Sequence, residues 1–414
     1  MLFRASANPS KVSQRVVVTG VGIVTGLGAG AAINEAGFRA GKTAFSPVTF
    51  FDVSKQRVMT AAQAEVPEQS PSKRVSQKQW RRMDRASRLL FMAAEEAWEQ
   101  AGWNGGERLP VILGTTSGGM NLGEAFYRQA IGTPQKAYGQ ATRVVQYQAQ
   151  RQVLDIAEAL GFSGPVTLIA NACASGGNAI GQAFEMIRYG DAERVLTGGY
   201  DGLCQLVFAG FDSLQALSTT SCRPFDAQRD GLALGEGAAV LTMESLASAE
   251  KRGAKILGEV VGYGAATDSH HLTQPHPQGD AALKSMQEAT RMASIAPEQV
   301  GYINAHGTGT PMNDGAEAHA ISRWAGEHAG MMRVSSTKAS IGHLLGAAGS
   351  VEAVICLQAL QGQWLPPMRG TQTADPACKF ELVREPATAS YEYALSNSFG
   401  FGGANATLIF RRWS

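Results

Sequence analysis

The chain is expected to fold as a layered α/β protein, and three observations carry that expectation. Short apolar runs of strand length alternate with longer helix-patterned segments from end to end. Strand-to-helix turns built from Gly and other small residues recur. The order of these units in the first half is loosely repeated in the second.

Residues 16–24 open the first half as a strand. The run 111–114, followed by Thr-Thr-Ser-Gly-Gly, gives a second strand end. The run from Thr167 turns into a helix at Cys173. In the second half, 256–263 corresponds to the opening strand, and 302–304, just before His306, corresponds to 111–114. The segment 334–336, followed by Lys338, His343 and a helix from Leu344, parallels the strand-turn-helix at Cys173. No composition break or Pro/Ser-rich linker divides the chain. The expected organisation is a polar tail (1–15) and two related halves, 16–255 and 256–414, forming one unit with functional groups where the halves meet.

Composition narrows the function classes. The 414 residues are 44% hydrophobic, enough for a large core, and the net charge of +1 gives no general attraction to nucleic acid or membrane. Five cysteines (173, 204, 222, 356, 378) are odd in number and widely spaced, without a Cys-x-x-Cys pair. That pattern suits a reducing compartment better than a disulfide framework or a zinc site. The polar tail has no apolar signal core, and no run approaches the roughly 18 apolar residues of a spanning helix. A soluble, cytoplasmic protein is expected.

Cys173 sits in Thr167-Leu-Ile-Ala-Asn-Ala-Cys-Ala-Ser-Gly-Gly177. A thiol at a helix N-terminus faces unpaired N–H groups and the positive end of the dipole, which favours its ionised form. Such a cysteine is either an inert core residue or a nucleophile. Two distant motifs favour the second reading: Asn304-Ala-His-Gly-Thr-Gly-Thr-Pro-Met-Asn-Asp314, and Lys338-Ala-Ser-Ile-Gly-His343 followed by Glu352. A cysteine with sequence-distant histidines is the arrangement of a covalent acyl-transfer site.

These motifs resemble the β-ketoacyl-acyl-carrier-protein synthases of the elongating Cys-His-His type. The resemblance runs from about Val16 to Phe410 and includes Val-Val-Val-Thr-Gly-Val-Gly-Ile-Val-Thr (16–25), Arg223-Pro-Phe-Asp226, Gly235-Glu-Gly237 and Ser396-Asn-Ser-Phe-Gly-Phe-Gly-Gly-Ala-Asn405. It implies a thiolase-like five-layer αβαβα fold. It also implies decarboxylative Claisen condensation of an acyl thioester with malonyl-acyl-carrier-protein, without a cofactor or metal. Cys173 would carry the acyl chain, its own N–H and that of Phe401 forming the oxyanion hole. Neutral His306 and His343 would stabilise the malonyl enolate, and Lys338, with Glu352 as counter-charge, would keep the histidines poised. Thr308 and Thr310 would line the pantetheine path, Phe399 and Phe401 would gate the acyl chain, and Ser117 would bound its pocket. The implied partners are acyl carrier protein and a second subunit. That subunit is a copy of the chain or a chain-length-factor homologue, docked on the strand ending at Asn171 and the segment 138–147.

Other motifs have plainer explanations. Gly20-Val-Gly-Ile-Val-Thr-Gly-Leu-Gly28 resembles a dinucleotide fingerprint but lacks the acidic residue expected ~20 positions on, so close backbone packing is expected there. Gly400-Phe-Gly-Gly403 has too little chain after it for a βαβ unit. His270, His271 and His276, or Asp314 with Glu317 and His319, match no recurrent metal spacing. The seven basic residues 73, 74, 78, 81, 82, 85 and 88 form either a solvated face or a docking surface for an acidic carrier.

Rival classes differ at readable positions. A thiolase would place a second cysteine in the 396–405 loop, a type III initiating synthase would have Asn where Lys338 leads into His343, and a chain-length factor would lack Cys173. Asn171, the loop 199–204, the 229–234 sequence and Ser117 depart from the common fatty-acid pattern, which leaves a polyene or polyketide-type ketosynthase as the alternative.

Overall fold

The structure is a computed structural model that describes residues 13–106, 108–133 and 141–414. The first twelve residues of the polar tail, and positions 138–140 of the expected subunit segment, lie outside the described residues.

Ten strands carry the architecture. Those of the first half are β1 (Val16–Thr25), β2 (Val111–Gly114), β3 (Val166–Ile169), β4 (Arg194–Asp201) and β5 (Gly237–Ser245). Those of the second are β6 (Gly258–Thr267), β7 (Val300–Asn304), β8 (Arg333–Ser335), β9 (Tyr393–Phe399) and β10 (Ala404–Arg411). Their spatial orders, β3-β2-β4-β5-β1 and β8-β7-β9-β10-β6, match position for position. In each half the first two pairings are parallel and the last two antiparallel. Among the described residues the two sheets meet edge to edge where Val16–Val18 pair with 258–260.

Six helices complete the layers. One outer layer is α1 (Arg85–Ala101) with α2 (Gln150–Leu160), and the other is α4 (Asp280–Ala293) with α5 (Pro311–Ala325). Between the sheets lie α3 (Ser175–Arg188) and α6 (Ala348–Gly362). A helix buried on every side must be apolar or small nearly all round, and α6 is, with Val351, Ala353, Val354, Ile355, Cys356 and Leu357 all buried and one charged residue, Glu352, buried among them. The two central helices approach closely through glycine: a Cβ on Gly349 would stand 2.6 Å from the Gly177 nitrogen. This is the five-layer stack expected from the sequence.

The glycines of β1 serve packing, as expected. A side chain on Gly22 would lie 1.9 Å from the Ala93 carbonyl of α1, so these residues let the helix press onto the strand. No described helix is long and apolar enough to cross a membrane.

Candidate active site

The parallel strands place the functional groups. β2 and β3 end side by side at Gly114 and Ile169, and β7 and β8 end side by side at Asn304 and Ser335. Ligand sites in α/β sheets form beyond the carboxyl ends of such strands. Here the four following loops carry Thr115–Gly118, Cys173, His306–Thr310 and Lys338–His343. The last three contribute to a cavity of about 320 Å³ whose lining includes Cys173, His306, His343, Thr308, Phe399 and Phe401. Thr310 lines it too. A separate recess of about 350 Å³, lined by Arg82, Asp84, Arg151 and Asp155, contains none of these residues.

Cys173 occupies a one-turn helix, Ala172–Ala174, just ahead of α3. Ala172 before it has φ +57°, an uncommon backbone for a residue with a Cβ and a mark of a tightly determined turn. The Ser175 hydroxyl ties that turn, donating to the Ala172 carbonyl at 2.6 Å and accepting from the Asn171 N–H at 3.0 Å. Burial pushes the Cys173 thiol up to about 12. Lys338's charge opposes the rise, buried Asp201 adds to it, and the nearby backbone N–H groups of Phe401 and of Cys173 itself oppose it again. The expectation of an ionised thiol is therefore corrected. The helix terminus does supply N–H donors, but removing the sulfur from water outweighs them.

Both histidines are buried, at 3% and 1% exposure, and both are held well below the ordinary imidazole range. For His306 the causes are burial, then Lys338, then His343; for His343 they are burial, then Lys338. Each is therefore neutral near neutral pH and has one N–H to donate. Lys338 Nζ lies 3.4 Å from His306 Nδ1. An ammonium can only donate, so Nδ1 accepts and the His306 proton sits on Nε2. The rings of His306 and His343 meet edge to face at 5.3 Å, and Phe399 lies 5.7 Å from His306. His343 Nδ1 makes no hydrogen bond among the described residues.

Lys338 is itself buried and forms an ion pair with Glu352 of α6. Burial raises the Glu352 carboxyl to about 7 against the lowering effect of the lysine. The pair keeps a positive charge beside the histidines without leaving it unpaired in a dry interior.

Three buried carboxylates, none of whose roles the sequence signals, hold the loops. Glu317 on α5 accepts from the backbone N–H groups of His306 and Gly307, each at 2.8 Å. Asp314, one turn earlier, accepts from those of Phe225, Thr308 and Gly309. The metal pattern considered for this trio thus resolves into loop clamps, while His319 reaches Pro277 at the surface. Asp201, fully buried, accepts from Thr116, Ser117 and Gly118 of the first half and from Gly346 of the second, tying the halves together. Ser117 is placed by this network: its hydroxyl donates to Asp201 at 2.8 Å, and it does not line the Cys173 cavity.

The glycine loop 400–403 closes one wall. A Cβ on Gly400 would stand 3.0 Å from the Cys173 nitrogen, so glycine lets this loop reach the nucleophile. The Phe401 ring is 40% exposed and stacks on Phe211 at 5.9 Å. Of the seven basic residues between 73 and 88, Arg85 turns inward to Glu236, Arg88 lies over Trp80 and Arg74 pairs with Glu95. Lys73, Lys78, Arg81 and Arg82 remain on the surface.

A cysteine with two neutral histidines, a buried lysine and main-chain donors near its sulfur, set between two topologically matched sheets, defines a thiolase-like condensing enzyme. The family models agree: "Beta-ketoacyl synthase, N-terminal domain" matches residues 13–249, and "Beta-ketoacyl synthase, C-terminal domain" matches 257–372. The chain belongs to the β-ketoacyl synthase family. It is 36% identical to a 3-oxoacyl-[acyl-carrier-protein] synthase 2 of Staphylococcus aureus, over 97% of this chain and 99% of the relative. A 3-oxoacyl-[acyl-carrier-protein] synthase 2 of Synechocystis is also 36% identical, over 97% and 98%. Among solved structures, the ishigamide ketosynthase/chain length factor superposes with TM-score 0.90 at 32% identity, covering 97% of this chain and all of the other. A β-ketoacyl synthase from Burkholderia phymatum superposes with TM-score 0.87 at 35% identity and the same coverage. A type II polyketide ketosynthase in complex with its acyl-carrier protein superposes with TM-score 0.86 at 28% identity, again over 97% of this chain and all of that one.

Proposed function

We propose that the protein elongates acyl chains in fatty-acid synthesis, condensing an acyl thioester with malonyl-acyl-carrier-protein. The observation that carries this is the convergence of Cys173, His306 and His343 on one cavity, with the Phe401 N–H at the sulfur. The Cys173 sulfur attacks the thioester carbonyl, and its proton leaves with the departing pantetheine thiol. The N–H groups of Cys173 and Phe401 receive the negative oxygen of the tetrahedral intermediate. When malonyl-carrier enters, its carboxylate leaves as carbon dioxide and the bonding pair passes into an enolate. The enolate oxygen accepts from His306 and His343, which are neutral donors because burial keeps them so. The enolate carbon attacks the acyl-cysteine, a carbon–carbon bond forms, and the sulfur is released to take up a proton. Lys338 and Glu352 hold the charge balance behind this step, Thr308 and Thr310 flank the pantetheine arm, and Phe399 and Phe401 gate the chain.

We place the two halves at 16–255 and 256–414, supported by the matching strand orders. Acyl carrier protein is the proposed partner, with Lys73, Lys78, Arg81 and Arg82 as the charged part of its docking surface. A second subunit is supported by β3, an edge strand with Val166 39% exposed, and by the exposed Val144, Val145 and Tyr147 nearby in sequence. Both a copy of the chain and a chain-length-factor homologue fit that surface, and the likeness to a ketosynthase/chain length factor favours keeping the second in view. Five unpaired cysteines support a cytoplasmic location. The test is direct: acyl-carrier and malonyl-carrier are mixed with the purified chain and the carrier is weighed by mass spectrometry. A β-ketoacyl product two carbons longer supports the reading, and hydrolysis without elongation contradicts it.

A further inference from the structure

The helix Gln205–Ser213 stands at the cavity mouth, and its own sequence does not cap it. Its N-cap is Cys204, in extended backbone and without a side-chain cap bond. A helix start presents unpaired N–H groups and a partial positive charge, which a carboxylate satisfies. The carboxylate comes from a different helix: Glu124, on Met120–Gly132, accepts from the backbone N–H of Leu206 and from that of Gln205 at 3.3 Å. Its side chain is only 13% exposed, with Arg128 at 3.7 Å and the Cys204 thiol against it. Six residues on, Phe211 stacks against Phe401, whose N–H lies near the Cys173 sulfur. The far end of the helix is fixed separately, by Arg57 bonding to the side chain and carbonyl of Asp212.

We infer that Glu124 is a positioning residue for Cys173, acting through helix 205–213, Phe211 and Phe401. A helix advances ~1.5 Å per residue, so positions 205 and 211 are about 9 Å apart along its axis. Glu124 at the near end and Arg57 at the far end together set the height at which the Phe211 ring meets the Phe401 ring, and Glu124 is the carboxylate outside the cavity on which the near end depends. The ring in turn sets where the Phe401 N–H meets the sulfur. His306 and His343 lie on loops that this chain of contacts does not include, so Glu124 separates the thiol half of the reaction from the enolate half. This rests on the reading of Cys173 as the acyl-accepting nucleophile.

The test uses the full chain with Glu124→Ala and Glu124→Gln. Three rates are compared: alkylation of Cys173 by iodoacetamide, acylation of Cys173 from acyl-carrier, and carbon dioxide release from malonyl-carrier. Glu124→Ala is expected to slow the first two about five- to tenfold, the scale of one lost capping interaction, and to leave the third within about twofold. Glu124→Gln, which keeps one acceptor oxygen, should recover most of the loss. Adding Phe211→Ala to Glu124→Ala should cost nothing further, since both changes break one path. An equal fall in all three rates, faster alkylation, or additive losses would overturn the inference. A wild-type chain that alkylates at Cys173 but never accepts an acyl group would defeat the functional reading alone, because the alkylation arm still decides the role of Glu124.

Discussion

Replacing Lys338 with Met removes a charge from the centre of the site while keeping an unbranched side chain. The Nζ lies 3.4 Å from His306 Nδ1. A unit charge at that separation is worth about 5 kcal/mol at an effective dielectric of 20, equivalent to roughly three to four pH units. Burial is the larger reason that His306 stays neutral, and Lys338 is the second. Both lower the imidazole pKa, so deleting the lysine raises it. The rise is smaller than the Coulomb figure because Glu352, already raised to about 7 with the lysine present, will take up a proton when it loses its partner. Histidine NMR on labelled protein, with His306 assigned through His306→Gln, follows the titration from about pH 5.5 to about pH 8. Wild-type His306 should stay neutral throughout, whereas in Lys338→Met its titration should move to higher pH, burial still holding it below the ordinary imidazole range. Stranding Glu352 also costs stability, by about 3–5 kcal/mol for a broken buried pair. Lys338→Met/Glu352→Gln should recover much of that stability. A His306 titration, followed to the lowest pH at which the proteins stay folded, that does not move upward in Lys338→Met would refute the contribution assigned to Lys338.

Other outcomes follow from the same geometry. His306→Ala and His343→Ala should each still form acyl-Cys173 but condense on the order of a hundredfold or more slowly, the scale of one lost oxyanion donor; intact mass should show acyl-enzyme accumulating. Cys173→Ala should abolish condensation yet retain malonyl decarboxylation, and loss of labelled carbon dioxide to background in the folded variant would count against the division of labour. Arg81→Glu with Arg82→Glu should weaken apparent affinity for acyl-carrier while sparing a small acyl-pantetheine mimic; equal effects on both substrates would mark these residues as an ordinary solvated face.

The sequence was most legible where chemistry depends on side chains in short local patterns. Cys173, His306, Lys338 and His343 each follow a strand end, and the repeated order of strands anticipated that those ends would converge. The holding groups were hidden for a physical reason. Asp201 and Glu317 act on backbone N–H groups, which every residue but proline offers, so no partner residue type betrays them. The resemblance makes Ser117 a pocket wall, whereas in the fold its hydroxyl donates to Asp201 instead. The ionised thiol is lost for a similar reason: local sequence reveals a helix N-terminus, whereas the burial that raises the thiol depends on tertiary neighbours such as the 400–403 loop, more than two hundred residues on. The basic run divided because Arg85 meets Glu236, a buried acid that only the tertiary fold brings near.

The most direct measurement is the mass of the enzyme itself. The purified chain is incubated with acyl-carrier alone, weighed intact, and then digested to locate the modification. The expected result is a single acyl adduct on the peptide containing Cys173, absent from Cys173→Ala and discharged when malonyl-carrier is added. An unmodified chain, an adduct on another cysteine, or an acyl-Cys173 that malonyl-carrier never discharges would contradict the role given to this residue.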